Sequence, residues 1–264
     1  MFAERRKAAG KNSPEVIDTF MKADPPCAAA FAQKPQIISS SPGIGGKIAA
    51  IRARWDMGRM ELRVTPGLYN VDGKATPTSP VFVTSSYQLS FNNLRASLSS
   101  IAARNGAWIL VLDTHGINVW CAAGKGTFGT DELVNRIQLT DLAKIVTHHD
   151  LILPQLGATG VSAPEVLSRT GFKVHWGPVK AQDISSVLSG TSLTPIPADL
   201  RLVKFPLWDR FVLAPVEMVS YSSYYLITAI IAAAFFGRMT FTSLTVAYSG
   251  LMFFPILLPY LPPW

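Results

Sequence analysis

The 264-residue chain is 48% hydrophobic and 16% charged, with a formal net charge of +7, so it is more apolar and less charged than a usual soluble domain. The basic residues are scattered without interleaved aromatics, which argues against nucleic acid as a partner. Two cysteines, Cys27 and Cys121, with no CxxC pair, exclude a disulfide framework and a cysteine-built zinc or iron-sulfur site, and fit cytosolic redox conditions.

Residues 1–47 alternate charge, Pro and Ser/Gly and predict a poorly structured N-terminal arm with one short helix around Pro14–Met21. Basic residues near the start have no apolar stretch behind them, so no secretory signal is expected. The GIGGK run at Gly43–Lys47 lacks the full GxxxxGK(S/T) spacing and follows a Ser/Pro run rather than a strand, which weighs against a phosphate loop. From Ile48 to about residue 200 the pattern is regular. Strands are predicted at Glu61–Val64, Val81–Ser85, Trp108–Leu112, Asp150–Leu153 and Phe172–Trp176. Helices are predicted at Asn92–Arg104, Asp131–Ile137, Thr140–Val146, Ala163–Ser168 and Ala181–Leu188. The apolar run WILVL suits a strand buried on both faces, and the alternation as a whole predicts a Rossmann-like parallel-sheet α/β domain.

In an open parallel sheet, ligands bind beyond the carboxyl ends of the strands. That places a site on the loops Thr84–Ser90, Asp113–Lys125, Pro154–Ser162 and Gly177–Ala181. They are rich in Gly, Ser, Thr and Pro and poor in carboxylates, a surface suited to a large ligand approached closely by backbone rather than to hydrolysis.

Residues 201–217 read as a basic juxtamembrane linker. Beyond them, residues 218–264 hold Arg238 as their single charge, while residues 1–217 hold 23 Lys/Arg and all 17 Asp/Glu. Two transmembrane helices are therefore predicted, within Met218–Gly237 and Met239–Trp264, in a membrane region expected to be truncated because the chain stops at LPPW. Tyr221, Tyr224, Tyr225, Tyr260 and Trp264 would form aromatic belts against membrane lipid. Arg201, Lys204 and Arg210 would hold the α/β domain on the cytoplasmic side of the inner membrane, in a multi-pass arrangement.

Cys121 lies in the segment INVWCAAGKGTFGTDEL, in the loop region after the WILVL strand. Free cysteines are often small buried hydrophobes. Against that stand its place at the ligand face, the small neighbours Ala122, Ala123 and Gly124, and the cation Lys125, which favours a nearby thiolate. From the residues alone both readings stay open. Asn118 is a good helix N-cap or an ordinary turn residue, Val119 and Trp120 serve equally as core or as ligand cover, and Lys125 equally as a solvated side chain. The adjacent pair His148–His149 has no third ligand at useful spacing.

The octapeptide Asn118-Val119-Trp120-Cys121-Ala122-Ala123-Gly124-Lys125 resembles the signature of the mercury-methylating corrinoid protein family. The resemblance continues through Gly126–Thr130, Leu153–Gly157, Gly171–Val174 and Gly177–Val179, and covers about residues 60 to 190. It extends more distantly to the corrinoid domain of the corrinoid iron-sulfur protein large subunit, which lacks the cysteine signature. The resemblance implies a cobalt corrinoid, cobalamin-like, held against a short cap helix with the Cys121 thiolate as axial cobalt ligand, and a methyltransferase passing a methyl group from methyl-cobalt(III) corrinoid to inorganic Hg(II). Asn118, Val119, Trp120, Ala122, Ala123, Gly124 and Lys125 would surround the cofactor, together with Thr84, Gly157, Ala158, Gly160, Gly177 and Pro178. The DxHG run Asp113–Gly116 lacks the DxHxxG spacing of histidine-ligated corrinoid domains, which keeps cysteine rather than His115 as the ligand. The implied partners are a small ferredoxin-like electron donor with two 4Fe-4S clusters and a methylated folate-dependent methyl donor system. The rival readings are a corrinoid methyl carrier with another acceptor, and a non-catalytic ligand-binding membrane protein.

Overall fold

The computed structural model describes residues 35–54, 62–189, 192–193, 195–204, 206–207, 222–231, 234 and 238–257. The chain divides into two compact units, Met1–Gln33 and Lys34–Trp264, and everything described below belongs to the second. The helix predicted at Pro14–Met21, and Cys27, lie outside the described residues.

Six strands form one sheet: β1 (Gln36–Ile38), β2 (Gly67–Val71), β3 (Val81–Ser85), β4 (Trp108–Leu112), β5 (Asp150–Leu153) and β6 (Lys173–Trp176). Their order is β1-β2-β4-β3-β5-β6. The run β4-β3-β5-β6 is parallel, whereas β2 pairs antiparallel with β4 and carries β1 parallel to itself. The sheet is thus mixed, with a parallel majority. Strands β3 and β4 are buried at every position, because helices cover both faces.

The helices are α1 (Gly43–Arg54), α2 (Gln88–Ser97), α3 (Ser99–Asn105), α4 (Val119–Lys125), α5 (Thr130–Leu139), α6 (Leu142–Ile145), α7 (Ala163–Thr170) and α8 (Ile184–Val187). Side chains alternate across the pleat. Val81, Val83, Leu110, Leu112, Leu151 and Leu153 pack on α4, α5, α6 and α7, while Phe82, Ile109, Val111 and Ile152 pack on α2, α3 and α8. The chain leaves β3 over one face and reaches β4, then returns over the other face to β5 on the far side of β3. The strand order reverses there, and a crevice opens beyond the carboxyl ends of β3 and β5.

Several expectations need correction. Leu62–Val64 is not a strand: Arg63 makes an isolated antiparallel bridge to Tyr87, and Pro66 delays the strand to Gly67, so that β2 was missed. The expected helix Asn92–Arg104 breaks at Leu98, which closes α2 and opens α3. Thr140–Val146 shrinks to the single turn of α6 because Asp141 is left-handed, with φ 49°. Ala181–Leu188 divides into a 3₁₀ turn, Ala181–Asp183, and α8. Part of the expected unstructured arm is ordered, since β1 pairs along β2 and α1 follows it.

The inner-membrane, multi-pass placement with two spans is overturned: among the described residues no helix is long and apolar enough to cross a membrane. One helical run is described at 222–231. The helix Arg238–Leu257 interrupts its apolar side chains with Thr242, Ser243, Thr245, Tyr248, Ser249 and Gly250. Where the two helices meet, Tyr225 stacks on Tyr248 with centroids 4.4 Å apart and its hydroxyl lies 2.9 Å from that of Thr245. Tyr221, Tyr260 and Trp264 lie outside the described residues. Arg201, assigned to the linker, turns back onto the α/β domain and donates to Gln155 Oε1 at 3.1 Å.

Candidate functional site

The segment after β4 is built to end in a short, well-capped helix. Asn118 is extended (φ −65°, ψ 160°), and its Oδ1 accepts from the Cys121 amide at 2.9 Å, satisfying an N–H that the first turn leaves unpaired. Eight residues later Gly126, left-handed at φ 80°, stops the helix and donates to Ala123 O. Between these caps α4 presents two unlike faces. Val119, Ala122 and Ala123 are buried against the sheet, while Trp120, Cys121, Gly124 and Lys125 are exposed.

Ala122 and Ala123 were expected beneath a cofactor. They lie on the sheet-facing side instead, because at helical spacing they share the face of Val119. Gly157 and Gly160 likewise serve α4 rather than a ligand surface. A Cβ at Gly157 would stand 2.6 Å from Phe128 Cε1, and one at Gly160 would collide with Phe128 O and sit 3.0 Å from Ala123 Cα. Both therefore let the 154–162 loop seat against Phe128 and α4. Ala158 is exposed.

The crevice holds a cavity of about 520 Å³. Phe82, Val83, Thr84, Ile152 and Leu153 come from the ends of β3 and β5; Ser90, Asn93 and Leu94 from α2; and Asn118, Val119 and Trp120 from the start of α4. Pro154, Leu156 and the stretch Gly177–Gln182 complete the wall with Ile184. Hydroxyls, amides and Lys180 make up its polar part, and no carboxylate lines it. Of the expected residues, the structure brings Thr84, Asn118, Val119, Trp120, Gly177 and Pro178 together here. Cys121, Gly124 and Lys125 stand on the adjoining outer face of α4. Ser90 and Lys180 lie in the loops expected to form the site without having been singled out, and sequence reasoning missed Asn93 and Gln182 as wall residues. Their signal was position, since each lies in, or in the first turns after, a loop that follows a parallel strand.

The histidines are engaged elsewhere. His148 Nε2 lies 2.8 Å from Ser79 O and its Nδ1 accepts from the Asp150 amide at 3.2 Å, so the ring is a strut at the amino end of β5. His149 packs on Phe172, and His175 Nε2 meets Asp150 Oδ1 at 2.7 Å. His115 is exposed and left-handed at φ 54°, held by its amide to Asp113 Oδ1 at 3.0 Å.

The donor set suits a flat metal-bearing ligand. Cys121 is a free, exposed thiol, a soft donor for a transition metal. Three residues along, a Cβ built on Gly124 would meet nothing within 4 Å, so the surface at Gly124 is open.

Fold and cavity together define a doubly wound α/β domain with its cavity at the topological switch point. Residues 56–188, half of the chain, match the family described as CdhD: CO dehydrogenase/acetyl-CoA synthase delta subunit, and the chain belongs to that family. It is 31% identical over 130 residues to the acetyl-CoA decarbonylase/synthase complex subunit gamma of Archaeoglobus fulgidus, covering 49% of this chain and 27% of that one. It is 35% identical over 125 residues to subunit gamma 2 of the same complex from Methanosarcina thermophila, covering 46% and 25%. Over 126 residues it is 28% identical to the corrinoid/iron-sulfur protein large subunit of Moorella thermoacetica, covering 48% and 27%. The chain thus spans about a quarter of the length of these curated relatives.

Proposed function

We propose that this chain holds a cobalt corrinoid against α4, with the Cys121 thiolate as axial cobalt ligand, and acts as a corrinoid-dependent methyltransferase whose acceptor is inorganic Hg(II). The carrying observation is the exposed Cys121 on an N-capped helix at the mouth of the switch-point cavity. The family and the named corrinoid/iron-sulfur relative support the corrinoid; the octapeptide around Cys121 supports the mercury acceptor. When bound, the corrinoid supplies the methyl-carrying metal centre.

The chain's own residues do the rest. Asn118 fixes the first turn of α4 and so the place of Cys121. Cys121 would hold the metal, and a thiolate there, a strong electron donor as in thiolate-ligated haem proteins, would favour methyl release to an electrophile. Trp120 shields the approach along α4, and Lys125 adds a positive charge to the same exposed face. Thr84, Ser90, Asn93 and Gln182 offer hydroxyl and amide partners to a polar ligand periphery, with Gly177 and Pro178 as a close backbone wall. The proposed partners are a ferredoxin-like protein with two 4Fe-4S clusters, as electron donor, and a methylated folate-dependent methyl source.

A second reading, methyl carriage to a different acceptor, is favoured by the relatives' membership of acetyl-CoA decarbonylase/synthase complexes. One set of preparations tests both. Wild type and Cys121→Ala are loaded with hydroxocobalamin, their Co(III) visible spectra recorded, and methylmercury formation measured with the reductase partner. The expected outcome is a folded variant with an altered spectrum and most of the transfer lost. Unchanged spectra and rates would remove Cys121 from the metal. A Cys121-dependent spectrum without methylmercury would favour the second reading.

A further inference from the structure

The helix that carries Cys121 is tied to the sheet by two buried hydroxyls that the site description above does not use. Ser86 follows β3 and Thr114 follows β4, and both are buried, at 1% and 0% exposure. The loop between β4 and α4 turns through two left-handed residues, His115 at φ 54° and Gly116 at φ 75°. This curls the backbone so that the amides of Thr114 and Gly116 converge, a concavity of the kind that elsewhere takes an anion. Here it is filled by Ser86 Oγ, which accepts from both amides at 3.1 Å.

Thr114 completes the tie. Its Oγ1 donates to Ile117 O at 2.7 Å and accepts from the Ser86 amide at 3.2 Å. Because that hydroxyl has one proton and spends it on Ile117, the 3.2 Å contact between the two hydroxyl oxygens takes its proton from Ser86. The Ile117 amide returns to Thr114 O at 3.0 Å. The next residue is Asn118, which caps α4. Two side chains thereby connect the carboxyl end of β3, at the cavity floor, to the residue that sets the first turn of the cysteine helix.

We infer that Ser86 and Thr114 are positioning residues that fix where α4 holds the Cys121 thiol relative to the cavity. The inference rests on the corrinoid reading above. Loss of either hydroxyl leaves buried partners unsatisfied and releases the loop, so the thiol is no longer presented at one height and angle.

The test uses the full chain loaded with hydroxocobalamin and compares wild type, Thr114→Val, Thr114→Ser, Ser86→Ala and Cys121→Ala. The Co(III) visible spectrum of the bound complex is read well below the melting temperature. Amide hydrogen exchange at Cys121 is read without cofactor. Thr114→Val should bind cobalamin but move the spectrum toward that of Cys121→Ala, and exchange at the Cys121 amide should rise roughly tenfold. Thr114→Ser, which keeps the hydroxyl, should restore both. A merely structural role would lower the melting temperature and leave the spectrum of the folded complex alone, and that result overturns the inference. If Thr114→Val fails to fold, Ser86→Ala carries the same comparison. A wild-type spectrum insensitive to Cys121→Ala sinks the corrinoid reading and this inference together. A Cys121-sensitive spectrum that is unmoved in Thr114→Val and Ser86→Ala sinks this inference alone.

Discussion

Asn118 shows how much of the site depends on single side chains. It is at once a cavity wall residue and the N-cap of α4, its Oδ1 bonded to the Cys121 amide. Asn118→Ala removes the cap without a clash and is expected to cost about 1 kcal/mol of stability, visible as a lower urea midpoint with an unchanged slope. Asn118→Asp, which keeps the acceptor, should recover most of it. A midpoint unmoved by the alanine would mean that core contacts of Val119 and Ala122 alone hold the first turn. Cys121 has the opposite character: it is exposed and packs nothing away, so its replacement should hardly touch stability. That contrast lets stability measurements separate the residue that holds the helix from the residue the helix presents.

At the scale of the element, α4 is too short to stand on propensity, since two turns do not repay the cost of nucleation. It is held by its caps and by what lies beneath it. Phe128, fully buried, follows the Gly126 stop; its amide bonds back to Ala122 O at 3.1 Å, and Gly157 and Gly160 press against it from the next loop. Phe128→Ala is expected to destabilise the fold by about 3–5 kcal/mol, measured by chemical denaturation, because the wedge between α4 and the 154–162 loop is emptied. A loss below about 1 kcal/mol would show that the loop collapses into the space. The neighbouring α5 adds an electrostatic clamp. Glu132 Oε1 accepts from Arg136 Nε and Nη2, at 3.1 and 2.7 Å, and from the Asp113 amide at 2.8 Å. The start of the β4–α4 loop is thus anchored from the side opposite Ser86.

For the whole molecule, the sheet begins earlier than the hydrophobic pattern suggests. Strand β1 covers the edge of β2 in parallel register, and the segment around it reaches α2: Arg95 Nη1 donates to Ser39 O at 3.3 Å, and Asn92 Nδ2 to Gly46 O at 3.5 Å. A chain starting at Lys34, where the second unit begins, should unfold at the same temperature as the full chain. One starting at residue 62 uncovers the β2 edge and part of α2, and should melt several degrees lower with a greater tendency to associate. Equal melting temperatures for both truncations would show that β1 and α1 add nothing to the fold.

Strands buried on both faces were legible because their own side chains state their environment: VFVTS and WILVL admit no polar side to the sheet, and the structure places β3 and β4 at those residues. The caps of α4 were only partly legible: Asn118 fits an N-cap or an ordinary turn, the structure makes it the cap, and the Gly126 stop was not foreseen. Strand β2 was not legible, since GLYNV follows Pro66, opens on Gly67 and carries Asn70 within it, and becomes a strand by pairing antiparallel with β4, a contact about forty residues away in sequence. The break of the long helix at Leu98 and the left-handed Asp141 also follow from how the helices must pack on the sheet. Charge depletion at the end of the chain read as membrane-spanning, although among the described residues no helix is long and apolar enough to cross a membrane. Chain order and local chemistry thus determined by themselves that a cysteine stands after a buried parallel strand. Only tertiary structure decided which face of α4 that cysteine occupies, that Ala122 and Ala123 turn inward, and that residues from α2 and the post-β6 loop share a cavity with the first turn of α4. Helix faces and strand neighbours are set by contacts between segments distant in sequence, and no single segment encodes them.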